Sequence, residues 1–375
     1  MSGSCTATLP THSRAAVLVE PGRIEVTEFE LPVLGEDDAL LKVEACGICG
    51  TDYEQFDGQV TRNDYYEPIP AIPGHEPLGR IAAIGARASA RWAVAVGDRV
   101  AVRSAYGCGF CDDCARFEPF ACPTRGGTYG LTDVSKPPQL WGAYAEYMYL
   151  HPLSVVRRVD PELPPELAVM FNPLAAGLSW ASTVPETGEG DIVVIFGPGQ
   201  RGLCSVVAAR EAGAETVVVT GLPTDAHKLE LAHELGADAT IVVDGDPTAD
   251  VLDATGGGAS VVVDTTPFFV EALPQAIAIA RRRARIVLAG LKGPDAVSAI
   301  PVDPVVYNEL SIRGVLSMPI GDFDRACRLI EDRRYPLERL HTHSFGLDDA
   351  ALALATLAGR VEGQRAVHVT IEPFA

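Results

Sequence analysis

The sequence predicts an α/β protein of two domains, a β-rich first half followed by a doubly wound unit built on a parallel sheet. Three observations carry that expectation. A chain of 375 residues is too long for one ordinary core. Up to about Leu150 the apolar runs are strand-sized and separated by turn residues. From about Asp191 the rhythm changes to compact β-branched runs alternating with helical patterns, the mark of strands buried on both faces.

Taken in order, the chain begins with "MSGSCTATLPTHSRA", which lacks the charged start and apolar centre of a secretory signal. It reads as a short mobile tail on a cytoplasmic protein. The runs "AAVLV", "ALLKVEA", "GRIAAIG" and "DRVAV" are the expected strands of the first half. In the second half "DIVVIFG", "TVVVTG", "ATIVVD", "SVVVDTT" and "ARIVLAG" are the expected parallel strands, and "LSIRGV" offers a sixth. Between them "LCSVVAAREAGA" and "DAHKLELAHELGA" carry helical spacing. The segment after about Ser317 is mixed, and its pattern alone assigns it to neither domain.

Composition excludes several classes. A formal charge of −20 argues against nucleic acid and against anionic membrane surfaces, which select basic faces. No apolar run is long enough to span a bilayer. Nine cysteines, an odd number without a signal peptide, argue against a disulfide framework.

The stretch "VVIFGPGQRGLCSVVAARE" holds Gly197, Gly199 and Gly202 as G-x-G-x-x-G between a buried strand and a helix, the context that makes the pattern specific for a dinucleotide. The first glycine permits the tight turn, the second lets pyrophosphate approach the backbone, and the third lets helix and strand pack closely. At the end of the next strand, where an acid would accept hydrogen bonds from an adenosine ribose, the chain has Gly221. That favours NADP. Asp225 in the same loop could replace the acid, whereas Lys228 and Arg201 could pair with a phosphate, so NAD and NADP both stay open.

"CGFCDDCARFEPFAC" supplies Cys108, Cys111, Cys114 and Cys122 in a polar loop that also carries Asp112, Asp113 and Arg116. Four thiolates at this spacing suit one closed tetrahedral Zn²⁺, which would hold structure and do no chemistry. A four-iron cluster takes the same ligands. A second pair, Cys46 and Cys49 in "ACGICGTDYEQFDG", could be a redox pair or a metal half-site. A redox pair would start a helix in its own βαβ unit, and this segment lies in the β-rich half. "AIPGHEPLGRIAAIG" adds His75 and Glu76 just before a strand.

In that order "CGICGTD", "PGHEPLG", "VGDRVAV", the four-cysteine loop and "GPGQRG" resemble the zinc-dependent medium-chain dehydrogenases/reductases, the group of alcohol, polyol and threonine dehydrogenases. The resemblance runs from "AAVLVEPG" to "GQRAVHVTI". It implies a GroES-like catalytic domain over residues 1–157 and 318–375, with a structural zinc lobe at about 103–125, and a Rossmann domain over 158–317. It implies that Cys49 and His75 are the first two ligands of a catalytic zinc, that Thr51 lies on the proton path from the substrate alcohol, and that Cys46 is a bystander. Arg365 matches a basic residue that contacts the cofactor pyrophosphate. The implied activity is interconversion of an alcohol and its carbonyl with NAD or NADP, in a homodimer or homotetramer. The wider family also implies pocket walls from Tyr53, Phe56, Trp141, Phe171 and the region of Ser317 and Met318, apolar enough to favour a secondary alcohol over a polyol.

Two positions depart from the family pattern. Many relatives have histidine at the outer end of the proton relay, where this chain has Glu54, and a carboxylate can also accept a proton. Relatives place a cysteine or acid as third zinc ligand, where "MFNPLAAGLSW" puts Asn172. A neutral amide oxygen is a poor zinc ligand. The expectation is a catalytic zinc held more weakly than the four-cysteine one, with Glu76 or water completing its shell. The competing readings are a zinc-free reductase of activated double bonds and a non-catalytic dinucleotide-binding protein.

Overall fold

The computed structural model describes residues 9–58, 69–115, 122 and 126–375. The start of the N-terminal tail and Arg116 lie outside the described residues. The chain forms two compact units, one running to Val169 and resuming at His343, the other spanning Met170–Thr342.

The first unit opens with an antiparallel pair, β1 (His12–Glu20) and β2 (Arg23–Glu30). The sequence-predicted strands follow as β3 (Ala39–Gly47), β4 (Glu76–Ile84) and β5 (Arg99–Val102), with α1 (Gly50–Phe56) after β3 and α2 (Ala86–Trp92) after β4. The cysteine lobe lies between two short strands, β6 (Ala105–Tyr106) and β7 (Gly127–Thr128), and contains the single turn α3 (Asp112–Ala115). The run closes with β8 (Tyr147–Leu150), β9 (Val156–Arg158) and the short helix α4 (Pro165–Ala168).

The second unit starts with α5 (Phe171–Leu178), which continues into a π-helical turn over Ser179–Thr183. Strands and helices then alternate: β10 (Ile192–Phe196), α6 (Gln200–Glu211), β11 (Thr216–Gly221), α7 (Ala226–Glu234), β12 (Ala239–Val242), α8 (Thr248–Ala254) and β13 (Ala259–Asp264). The alternation continues with α9 (Ala272–Ala278), β14 (Ala280–Leu288), α10 (Val302–Tyr307), β15 (Ser311–Gly314) and α11 (Ile320–Asp332). The six strands form one sheet in the order β12-β11-β10-β13-β14-β15, every pair parallel. The order reverses between β10 and β13, and the crevice at their carboxyl ends is where such sheets receive a dinucleotide. Each residue of β10 is buried, as a strand covered by helices on both faces requires.

The chain then returns to the first unit through β16 (His341–Phe345), α12 (Ala350–Leu357) and β17 (His368–Ile371). Its sheet runs β16-β17-β3-β4-β5-β9, with β8 also beside β3. β17 lies antiparallel to the end of β3, pairing Thr370 with Gly47 and Ile371 with Cys46.

The unit boundaries differ from the expected 157/158 and 317/318. Residues 158–169 stay with the first unit because β9 pairs with β5 and the buried Arg99 binds the carbonyls of Asp160 and Leu163. Residues 318–342 stay with the second because α11 packs on α5, where Phe323 meets Phe171 edge to face with centroids 5.5 Å apart. Thr183 also donates to Asp322 at 2.8 Å. Only the part after Thr342 folds back, and sequence pattern could not see the split inside the tail.

Candidate active site

Cys49 ends the loop after β3 and is the N-cap of α1, while His75 directly precedes β4 and Glu76 is its first residue. These elements bring the Cys49 sulfur, a His75 ring nitrogen and a Glu76 carboxylate oxygen within 4.8 Å of one another. All three side chains are buried. One thiolate, one imidazole and one carboxylate make a three-donor set that leaves a fourth position open, the arrangement of catalytic rather than structural zinc. The first unit therefore assembles three donors by itself.

Asp52, in the first turn of α1 and 1% exposed, orients two of them. Its Oδ2 accepts the Cys49 backbone N–H at 2.8 Å, and its Oδ1 lies 3.0 Å from His75 Nδ1. A carboxylate only accepts, so Nδ1 carries a proton and Nε2 is the nitrogen left to a metal, which would displace any proton there. Burial opposes charging of His75, but the charge and hydrogen bond of Asp52, with Cys49 beside it, hold its pKa well above the ordinary histidine value. Thr51 accepts from the Cys49 thiol at 3.6 Å, and Glu54 follows one helical turn later on the same face of α1. Cys46 is different. Its thiol is fully buried at the end of β3, donates to the Gly47 carbonyl at 3.4 Å, and is pushed up in pKa by burial and then by the charge of Asp52.

Gly47 is required where it stands. A Cβ there would fall 2.5 Å from Glu76 Oε2 and 3.3 Å from Nε2 of His368, a fully buried residue of β17. The missing side chain makes room for the Glu76 carboxylate within the donor cluster.

In the lobe, the sulfurs of Cys108, Cys111, Cys114 and Cys122 all lie within 4.8 Å of one another, and the Cys108 and Cys114 sulfurs are 3.9 Å apart. Zinc–sulfur bonds of about 2.3 Å give a tetrahedron whose edge is roughly 3.8 Å. A four-iron cluster puts each thiolate on its own iron, pointing outward from the cube, and needs a wider spread. The thiolates fit zinc. Backbone N–H groups of Cys108 and Cys114 donate to the sulfurs of Cys122 and Cys111, each at 3.4 Å, as they would to thiolates.

In the second unit Gly197 has φ +93°, which favours glycine, and a Cβ on Gly202 would overlap the Gly197 carbonyl oxygen. A Cβ on Gly199, the N-cap of α6, would meet nothing within 4 Å. Gly221 ends β11, and a Cβ there would lie 2.8 Å from the Pro198 ring. The two rival cofactor determinants meet each other: Lys228 binds Asp225 at 2.8 Å. Asn172 sits in α5, 3% exposed, with its amide oxygen accepting from Arg201 at 3.2 Å. That oxygen is the atom a metal would have used. Arg365 is exposed in the first unit, ahead of β17.

Of the expected pocket residues, Trp141 belongs to the first unit's core, edge-on to Tyr149 and bonded to the Lys136 carbonyl at 2.9 Å. Tyr53 and Phe56 are partly buried against that core, and Phe171 and Met318 are buried in the second unit. Sequence reasoning missed Asp52 and His368. An acid three residues after a cysteine that begins a helix is a capping signal, and it was legible in "CGTD". Nothing in the sequence marked His368, which reaches Gly47 only through the strand pairing of the returning segment.

Two family models match the chain, the alcohol dehydrogenase GroES-like domain over residues 35–161 and the zinc-binding dehydrogenase over residues 202–332. A probable alcohol dehydrogenase of Mycobacterium tuberculosis is 44% identical over 96% of this chain and 98% of its own length. The erythritol/L-threitol dehydrogenase of Mycolicibacterium smegmatis is 30% identical over 97% of this chain and 99% of its own. Among solved structures, a putative zinc-binding dehydrogenase from Sinorhizobium meliloti, bound to NADP, superposes with a TM-score of 0.82 at 27% identity, covering 97% of this chain and all of that one. With the donor cluster, the thiolate lobe and the glycine-rich turn in place, the chain belongs to the zinc-dependent medium-chain dehydrogenases/reductases and is an NAD(P)-dependent oxidoreductase of the alcohol dehydrogenase type.

Proposed function

We propose that the protein interconverts a secondary alcohol and its ketone by hydride exchange with NAD or NADP, using a zinc held by Cys49, His75 and Glu76. The observation that carries this reading is the three-donor cluster with its Asp52 support. When bound, zinc supplies Lewis-acid polarisation of the substrate oxygen. The chain's own residues do the rest. Asp52 fixes the His75 tautomer and the start of α1. Thr51 Oγ1 hands on the hydroxyl proton, and the Glu54 carboxylate, one turn along α1, takes it toward solvent. The glycine-rich turn and α6 hold the dinucleotide.

Asp225 and Lys228 together read the adenosine ribose, one as acceptor for a hydroxyl and the other as cation for a phosphate. The donor cluster also argues against the zinc-free reductase, which has no use for it. The proposal includes a homodimer. α10 exposes Val302, Val306 and Tyr307 beside β15, an edge of the parallel sheet, and such edges and apolar patches favour self-pairing. Among the described residues no helix is long and apolar enough to cross a membrane, and cytoplasmic residence is part of the same proposal.

The test is a screen of secondary alcohols and ketones with both cofactors, run beside metal analysis. Turnover of a secondary alcohol that disappears with one zinc per chain is expected. Undiminished turnover in protein whose Cys49 cluster holds no metal would refute the mechanism.

A further inference from the structure

The glycine-rich turn leaves β10 through a peptide with a single polar handle. Gly197 is followed by Pro198, which has no N–H, so the peptide between them can be held only through the Gly197 carbonyl. That oxygen accepts from Thr265 Oγ1 at 3.0 Å, and the same hydroxyl reaches the Phe196 carbonyl at 2.8 Å. The Thr265 backbone N–H also donates to the Phe196 carbonyl at 3.0 Å. Thr265 directly follows β13, whose last residue, Asp264, stands opposite Phe196 in the parallel pairing with β10. Turn and threonine therefore meet at the carboxyl ends of the two strands where the sheet order reverses.

The loop that carries Thr265 is itself fixed. Through Oδ1 the fully buried Asp264 accepts from the Thr266 N–H at 3.0 Å and from the Thr266 hydroxyl at 2.6 Å. Its Oδ2 lies 2.8 Å from Lys292 Nζ, which also donates to the Thr266 hydroxyl at 3.0 Å and to the Thr266 carbonyl. A Cβ on Gly290 would overlap that carbonyl oxygen, so the chain after β14 presses on the same backbone. A hydroxyl on so firm a base holds the Gly197 carbonyl in one direction. With Gly197 at φ +93°, the carbonyl direction sets where the chain goes next, to Gly199 and the start of α6. The unpaired N–H groups of a helix start are what a diphosphate binds.

We propose that Thr265 is a positioning residue for the dinucleotide's diphosphate. Its hydroxyl sets the Gly197–Pro198 peptide and, through that peptide, the N–H groups at the start of α6. Thr265 acts through the turn, not on the ligand. The inference rests on the reading that the glycine-rich turn receives the cofactor.

The experiment compares wild type with Thr265→Val, Thr265→Ala and Thr265→Ser as full chains. ADP-ribose affinity is measured by calorimetry, and adenosine affinity by displacement of bound NADH. Both are read well below each thermal midpoint, where lost stability alone does not move a dissociation constant. Thr265→Val, which swaps the hydroxyl for a methyl, should weaken ADP-ribose about 3–10-fold, the worth of one ordinary hydrogen bond. Thr265→Ala repeats the test without a methyl crowding the two carbonyls, and should show the same loss. Thr265→Ser keeps the hydroxyl and should bind within about twofold of wild type. Adenosine, which lacks the diphosphate, should bind all four proteins alike.

Unchanged ADP-ribose affinity in Thr265→Val and Thr265→Ala would overturn the inference, as would a Thr265→Ser protein that binds as weakly as they do. An equal loss for adenosine would make Thr265 a support of the whole crevice and would overturn the positioning role. Wild-type protein that fails to bind ADP-ribose would instead overturn the reading of the turn as the cofactor site.

Discussion

Replacing Asp52 by asparagine exchanges one carboxylate oxygen for an amide nitrogen and should disable one metal site. The carboxylate now accepts from the Cys49 N–H at 2.8 Å and from His75 Nδ1 at 3.0 Å. An amide has one oxygen for both tasks. If that oxygen stays on the Cys49 N–H, the amide NH₂ faces His75 Nδ1 and drives the proton to Nε2, the nitrogen that a metal needs bare. Removing a partner of this kind lowers metal affinity by about 10–100-fold, or roughly 1.4–2.8 kcal/mol. Asp52 is 1% exposed, so no water can stand in for the lost acceptor at low cost. The assay is competition with a chromogenic chelator, which should show one zinc leaving Asp52→Asn at a far lower chelator concentration than wild type. The four-cysteine zinc should hold equally in both. Two zincs released identically from wild type and Asp52→Asn would refute the claim that Asp52 orients a metal ligand.

Cys111→Ser should open the lobe's closed shell and lower the thermal midpoint and yield of soluble protein, while hydride transfer per folded molecule is kept; metal analysis and active-site titration check both. Gly47→Ala puts a Cβ 2.5 Å from Glu76 Oε2 and should cost about 1–3 kcal/mol in denaturant unfolding, with weaker metal retention. Lys228→Ala should raise the NAD/NADP ratio of kcat/KM and Asp225→Ala should lower it, because the 2.8 Å pair divides cation from acceptor. Gly221→Asp is a poorer probe of the same question, since its Cβ would lie 2.8 Å from Pro198.

The second unit was legible strand by strand, because strands buried on both faces write continuous β-branched runs and the glycine-rich turn sits between one of them and its helix. The four thiolates were legible because they share one loop, and their chemistry needs no distant partner. The donor cluster was legible only by resemblance. Cys49 and His75 are joined by the pairing of β3 with β4, which spacing does not encode. The partner of Asn172 was the hardest to see. Arg201 lies across a helix–helix contact made possible by Gly177, and no local pattern links the two. The domain boundaries slipped for a related reason, since Arg99 and Phe323 tie their segments down through long-range contacts.

The number and lability of the metals decide the mechanism most directly. Freshly purified, metal-replete protein should carry two zincs per chain. Mild chelation should remove one of them and abolish turnover while the circular dichroism spectrum stays native, because the Cys49, His75 and Glu76 site is open and the four-thiolate site is closed. A single zinc per chain with undiminished oxidoreductase activity would contradict the account and return the protein to the zinc-free reductases.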